Sequence, residues 1–411
     1  MNPITIAVSG LNAGENPQPG PGIIRSLRRR YDNIRIVGLS YDVMESGIYV
    51  ADGPDVIYRL PFPSAGSAEL LARLDEILPE QPIDILIPTL DTELHGLLKL
   101  QDELATRGIR MLLPRLEASR ACRKSDLPAL ARRCGCATPT SINAVDETGL
   151  LAAAEEIGYP LMVKGPFYGA CRVHDERTML DRFGYMIASW GGPVVVQECI
   201  DGGEFNVMAI GDGEGNASGL CAVRKTVLSD RGKGFGGITV CDERLNETSL
   251  ELIRSLKWRG PLELEFIRDD STETFYLIEI NPRFPAWVDF PSTFGHNLPA
   301  LVVEQLIHGQ MSALPECPTG KFFIRHSVDL LGDIAQLGEL TTTGRFCPAD
   351  FEPIPLPLPQ QLIAPAVPPP IPSSSLPPVK KRVASDAANP VPPPIPSTSL
   401  PSSPPRLRVS A

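Results

Sequence analysis

Apolar and polar positions over the first 115 residues fall into short apolar runs separated by longer amphipathic stretches. Ile4-Thr5-Ile6-Ala7-Val8-Ser9 reads as a buried strand that stops at Gly10. A glycine- and proline-rich loop over 12–22 and a basic helix over 23–30 follow. Further apolar runs at 34–39, 83–88 and 110–113 predict strands, with helices over 68–78 and 92–107 between them. Strands alternating with helices predict an α/β fold built on a doubly wound parallel sheet. Ligands on such sheets sit at the carboxyl ends of strands, here Ser9-Gly10 and Pro88-Thr89-Leu90-Asp91. The first 115 residues hold no GxGxxG and no GxxxxGK[ST], so neither a Rossmann cofactor site nor a P-loop is expected there.

The pattern then changes. A connecting helical segment is predicted over 116–147, and a second α/β unit begins with a helix over 147–157 that Gly158 stops. A strand over 160–164, a helix over 178–190 and a buried-type strand over 193–198 come next. Strands at 204–210 and 217–227 flank a glycine-rich turn, and a glycine-rich loop over 230–237 precedes a strand at 238–241. A helix over 248–258 leads to strands at 261–268 and 274–280, which form a hairpin around 269–273. A helix over 299–308 and a hairpin across 321–346 close the body.

Composition separates the end of the chain. Of 43 prolines in 411 residues, 20 fall in 348–411, where an eleven-residue segment starting at Val367 recurs 24 positions later at Val391. Such a tail buries too little apolar surface to order itself and favours polyproline II. Its Pro369-x-x-Pro372 and basic Lys380-Lys381-Arg382 suit an SH3-like partner. Residues 1–347 carry 33 basic against 46 acidic side chains, which argues against nonspecific nucleic-acid binding. The nine cysteines, scattered and odd in number, read as reduced thiols, and Cys134-Gly-Cys136 lacks the partners of a zinc site. Without a basic start before the run at 4–8, and without an apolar stretch near the roughly 20 residues of a membrane span, a soluble cytoplasmic protein is expected.

The hairpin carries the chemistry. Alternate residues of a strand share a face, so Glu279, Asn281 and Arg283 point one way while Ile278 and Ile280 point into the core. Glu265 on the neighbouring strand can lie opposite them, with Leu264 and Phe266 on the apolar side. Two carboxylates and an amide oxygen are hard ligands of the kind Mg²⁺ takes alongside phosphate oxygens. Arg283 adds a planar cation suited to phosphate or carboxylate. Lys164, at a strand end beside the loop 165–169, can set a point charge on phosphate. Arg224-Lys225 and the loop 232–237 supply cations and mobile glycines where a phosphoryl group would transfer. Phe284, Trp287 and Phe290 are expected either to line the adjoining cavity or to pack in the core, and the histidines show no metal spacing.

Ile278-Glu279-Ile280-Asn281-Pro282-Arg283 behind a Glu-Phe strand resembles the metal-binding end of the ATP-grasp superfamily, closest to its carbamoyl-phosphate-synthase-like members. Residues 161–164 resemble the strand whose lysine, Lys164, contacts the nucleotide phosphates, and Lys124 matches an earlier phosphate-contacting lysine. The stretch from Val194 to Glu204 resembles the hinge, which implies that the backbone at Glu198, Cys199 and Ile200 meets adenine and Glu204 takes the ribose hydroxyls. Residues 83–94 resemble the end of the family's N-terminal domain, while the loop 165–170 carries fewer glycines than the usual phosphate lid.

The resemblance implies an N-terminal α/β domain over 1–115, an ATP-grasp domain over 116–315 with its lid over about 137–198, a closing hairpin over 316–347 and the tail. It implies an ATP-dependent, ADP-forming ligase that joins a small carboxylic acid to an amine through an acyl phosphate. The metal would be Mg²⁺, with Mn²⁺ able to substitute, held by Glu265, Glu279 and Asn281. Arg224, Lys225 and Arg283 would serve the transfer, and a homodimer is compatible with it. A biotin-carboxylase-like or purine-pathway-like carboxylase, a silent nucleotide-binding module and a scaffold acting through its proline-rich arm stay open.

Overall fold

Apolar side chains at every position from Ile6 to Val8 are fully buried, and the strand they form, β1 (Ile4–Ser9), pairs in parallel with a neighbour on each side in the first sheet. The computed structural model describes residues 3–14, 16–166, 169–228 and 234–351. Beside β1 lie β2 (Ile34–Ser40), β3 (Val56–Arg59) and, on the other side, β4 (Ile85–Ile87). The helix Gly20–Arg30 follows β1, with proline in its first turn and Arg28, Arg29 and Arg30 in its last, where they complement the helix dipole. Gly20 is required: a Cβ there would collide with the carbonyl oxygens of Ser9 and Gly10. Residue 110 makes only an isolated bridge to Ile85, so the expected strand at 110–113 does not form, and β3 was not expected.

The second sheet comprises β5 (Ser141–Ala144), β6 (Leu161–Lys164), β7 (Ala170–Val173) and β8 (Val194–Glu198), in the order β5-β8-β6-β7. Two helices, Glu147–Ile157 and Glu176–Trp190, cover it, each started by an aspartate (Asp146, Asp175) that accepts a backbone N–H at 2.8 Å. The connecting segment 116–147 is therefore not wholly helical. It holds the helices Leu116–Ala121 and Leu127–Arg133 and then β5, whose short, mixed-polarity run carries little strand signal.

The third sheet is antiparallel and holds β9 (Gly202–Asp212), β10 (Ala217–Leu228), β11 (Gly234–Val240), β12 (Arg259–Asp269), β13 (Phe275–Asn281) and β14 (Phe322–Ile324), ordered β13-β12-β9-β10-β11-β14. One face, with Phe205, Val207, Leu262, Leu264 and Phe266, packs on the helix Glu243–Leu256 and on 118–130. The other, with Met208, Cys221 and Val223, joins Ile6, Ile23, Phe284, Trp287 and Leu298 in a single core. Fully buried Phe266 and Phe284 each contribute roughly 2–3 kcal/mol of hydrophobic stabilisation. This shared core fixes the carboxyl ends of the first sheet against the polar end of the third.

Two further expectations are corrected. Residues 321–346 form no hairpin: β14 pairs with β11, the helix Ile334–Thr343 intervenes, and β15 (Arg345–Phe346) pairs antiparallel with β3 in the first sheet. The capping box of Asp333 with Gln336 starts that helix, and it separates the two strands into different sheets. Ile278 also does not enter the core. A bulge pairs Glu265 with Glu279 but Phe266 with Leu277, so Ile278 is the extra residue, and Leu277 and Ile280 take the buried positions. The tail beyond 351, part of the loop 165–169 (Phe167, Tyr168), and Gly232 and Lys233 of the loop 232–237 lie outside the described residues.

Candidate functional site

The hairpin of β12 and β13 is held by Asp269, whose Oδ1 accepts the backbone N–H of Ser271 and Thr272 in the turn. Its register places Glu265 opposite Glu279 and Glu263 opposite Asn281. On the next strand, Asn206 of β9 lies opposite Glu265 and Glu204 opposite Ile267. Residues two apart share a face, so Glu204 and Asn206, Glu263 and Glu265, and Glu279 and Asn281 converge on one polar surface.

Three lysines meet these carboxylates. Lys225 of β10, 9% exposed, places Nζ 2.8 Å from both Glu204 Oε2 and Glu265 Oε2. Burial works against its charge, yet the two carboxylates outweigh that and hold its pKa above the ordinary lysine value. Lys124 reaches Glu279 at 3.2 Å. Lys164, at the end of β6, feels Glu279, Glu265 and Glu204, but burial dominates and holds its ammonium below the usual lysine range. The lysines thus arrive from the segment after Ala121, the second sheet and the third sheet.

Beneath them lies a buried polar network. Glu263, 5% exposed, accepts hydrogen bonds from Asn206 Nδ2, from Trp287 Nε1 at 3.1 Å and from Asn281 Nδ2 at 3.1 Å. Burial and the neighbouring Glu265 raise its pKa, opposed by Arg283. Asn281 also donates to Glu265 at 2.9 Å and accepts from Arg283 Nη2 at 3.2 Å. Arg283 closes two parallel 2.9 Å bonds on Asp91, the first residue of the helix Asp91–Thr106 after β4. The other expected ligand position, Ser9, is engaged within the fold: its hydroxyl donates to buried Glu93 at 2.5 Å, as does Tyr41.

The remaining expected residues divide. At the hinge, Glu198 exchanges hydrogen bonds with Thr140, its N–H donating at 2.8 Å and its Oε2 accepting at 3.1 Å. Cys199 and Ile200 follow, and burial raises the Cys199 thiol. Arg224 is not brought into the cluster: it is exposed on the opposite face of β10, its guanidinium 6.0 Å from the centre of the Phe205 ring. Sequence reasoning missed Asp91 as the clamp of Arg283, although the strand-end rule pointed to its position. It also missed Arg325, directly after β14, which looks in sequence like an ordinary solvent-facing charge. Arg325 stacks 5.7 Å from the Phe323 ring, and its Nε is buried with no hydrogen-bond partner among the described residues. Burial, with Arg25 pushing the same way and Glu263 opposing, lowers its pKa to about 10.

The donor set is suited to a hard cation that takes part of its shell from elsewhere. Glu265 and Glu279 face each other beside the Asn281 amide, and among the described residues no group of three or more His, Cys, Asp or Glu side chains is arranged to hold a metal unaided. Two carboxylates and an amide suit Mg²⁺ completed by phosphate and water oxygens. Among the described residues no helix is long and apolar enough to cross a membrane.

Residues 130–286 match the family described as the ATP-grasp domain. Three solved structures share the fold. Biotin carboxylase from Campylobacter jejuni, in complex with β,γ-ATP, aligns with a TM-score of 0.57 at 18% identity over 76% of this chain and 72% of that one. L-amino acid ligase from Bacillus licheniformis aligns with a TM-score of 0.56 at 18% identity over 74% of each chain. The biotin carboxylase domain of 2-oxoglutarate carboxylase from Hydrogenobacter thermophilus, bound to ADP, magnesium and bicarbonate, aligns with a TM-score of 0.59 at 16% identity over 77% and 73%.

Proposed function

We propose that this chain, which carries an ATP-grasp domain, is an ATP-dependent ligase that joins a carboxylic acid, an amino acid or peptide, to an amine through an acyl phosphate. The observation that supports it most is the meeting of Lys124, Lys164 and Lys225 with Glu204, Glu265 and Glu279 on one sheet face. These charges of both signs pair with one another in the structure, and a ligand that carries both signs can take over the pairings. A magnesium nucleotide supplies both, phosphates for the lysines and the cation for the carboxylates.

Glu265, Glu279 and Asn281 would hold Mg²⁺, with Mn²⁺ able to substitute, and the ion would draw charge off the phosphate oxygens. Lys124 and Lys164 would hold phosphates, the backbone at Glu198, Cys199 and Ile200 the adenine edge, and Glu204 the ribose. Lys225 would pass from its carboxylates to the transferring phosphoryl group. Arg283, fixed by Asp91, and Arg325, whose Nε has no partner among the described residues, would steady the anionic substrate. Arg224 keeps at most a peripheral role, on the far face of β10. The acid's carboxylate attacks the γ-phosphorus and ADP leaves; the amine then attacks the acyl carbon and phosphate leaves. The protein orients the reactants and stabilises charge, and no nucleophile on the chain is needed.

The test is ADP release measured across amino acids, short peptides and bicarbonate with Mg²⁺ or Mn²⁺. The reading predicts ADP only when acid and amine are both present. Release that depends on bicarbonate instead would favour a carboxylase, a reading the fold shared with two biotin carboxylase structures also supports. Nucleotide binding without turnover under every condition would leave a silent binding module.

A further inference from the structure

The sulfur atoms of Cys221 and Cys317 lie 3.0 Å apart across 96 positions of sequence, in a chain whose nine cysteines are all free thiols. Cys221 is fully buried in β10, on the face it shares with Lys225 four residues on. Cys317 is half-buried in the segment that leads into β14. It is the one sulfur–sulfur hydrogen bond among the described residues, and it joins β10 to the segment that leads into β14.

We propose that Cys221 and Cys317 are an oxidation site, closing a reversible disulfide when the chain meets a low-molecular-weight disulfide. The inference is independent of the ligase reading. The half-exposed Cys317 is the attacking sulfur, because a small disulfide reaches it and not the fully buried Cys221. The Cys317 thiol donates to Cys221 Sγ, and the contact holds the Cys317 pKa below the ordinary thiol value and that of Cys221 above it. The Cys317 thiolate attacks one sulfur of the small disulfide and expels the other as a thiolate, leaving a mixed disulfide. Cys221 then gives up its proton and attacks Cys317 Sγ, and the second small thiolate leaves. Two protein thiols lose two electrons and two protons, and the small disulfide gains both as two thiols.

The bond would fasten a particular piece of chain. Beyond Cys317, Thr239 Oγ1 donates to Pro318 O at 2.6 Å and accepts the Lys321 N–H at 2.9 Å. Three residues of β14 then pair with β11, and the Arg325 N–H donates to Phe235 O at 2.8 Å. A Cys221–Cys317 bond adds a covalent tie from this segment to β10 and restricts the strand that delivers Arg325.

The full chain is treated with oxidised glutathione, and thiols are then alkylated and the protein digested without reductant. The expected product is a linked peptide pair containing Cys221 and Cys317, lighter by two hydrogens or about 2 Da, with both residues protected from alkylation. Cys221→Ala should leave glutathione trapped on Cys317, and Cys317→Ser should yield neither product. Amide exchange over 311–326 should slow several-fold on oxidation of the unmodified sequence and in neither variant. Alkylation of both residues after oxidation, glutathione retained on Cys317 when Cys221 is present, or a linked pair with unchanged exchange would each overturn the proposal.

Discussion

Arg283 and Asp91, 192 positions apart, form a bidentate ion pair in which both nitrogen–oxygen distances are 2.9 Å. The pair joins the last motif of the hairpin to the first turn of a helix in the parallel sheet's unit. It fixes the guanidinium plane, because two parallel bonds leave little rotational freedom. Burial disfavours the Arg283 charge, but Asp91 outweighs it and raises the pKa above the ordinary arginine value. Asp91→Asn should therefore cut ADP release at least tenfold and cost about 1–3 kcal/mol of stability, since a hydrogen-bonded charge loses its partner. Steady-state kinetics with urea unfolding checks both, and unchanged turnover would detach the clamp from catalysis.

Glu279→Gln preserves volume and removes one carboxylate from the surface shared with Glu265 and Lys124. Turnover should fall by two orders of magnitude or more if the carboxylate holds the metal. The melting temperature should move little, because the Lys124–Glu279 pair is partly exposed and such pairs contribute about 1 kcal/mol or less. ADP release and thermal melting decide the matter, and near-normal activity refutes the metal assignment.

The polar end of the third sheet was legible because period-two alternation and a rigid turn make its face predictable. Glu265, Glu279 and Asn281 converge as the alternation requires. It failed one residue earlier, at Ile278, because a bulge breaks the period and nothing in the side chains marks it. The short strands β5 and β7 escaped for a related reason: four residues of mixed polarity have no run to detect. Lys225 and Arg224 are neighbours in sequence and alike in charge, yet they project to opposite faces, so reading them as one basic unit erred. Arg325 was illegible because its burial comes from packing against Phe323 and from segments distant in sequence.

A pH dependence follows from Glu45, in the loop after β2. Its side chain is buried, its Oε2 has no hydrogen-bond partner among the described residues, and its pKa is raised to about 7. Burial is the main cause, with the Glu93 and Asp42 charges adding and hydrogen bonds involving Ser40 and Leu11 opposing. A carboxyl whose folded pKa exceeds its unfolded value binds more protons in the fold, so stability falls as pH rises from about 4.5 to 7 and the penalty persists above. Glu45→Gln should remove that penalty. Its stability relative to the unmodified sequence should be near zero at pH 4 and higher by on the order of 2–3 kcal/mol at pH 8. Urea unfolding at the two pH values measures it, and an equal effect at both would show that Glu45 does not titrate in this window.

Arg325 sets stability against function in one side chain. Its guanidinium is desolvated, its Nε has no hydrogen-bond partner among the described residues, and Arg25 adds repulsion against the opposing Glu263 charge. Such a group is retained against its cost when a ligand completes it. Arg325→Met keeps the stacking length over Phe323 and removes the charge. The variant should melt at the same temperature or a few degrees higher, because a desolvated and incompletely satisfied charge is gone. ADP release should nonetheless fall at least tenfold, with most of the loss in the KM for an anionic acid substrate and little in the KM for ATP. Kinetics with each substrate varied in turn, beside melting curves, separates the two effects. A lower melting temperature with unaltered kinetics would mean that Arg325 serves packing alone.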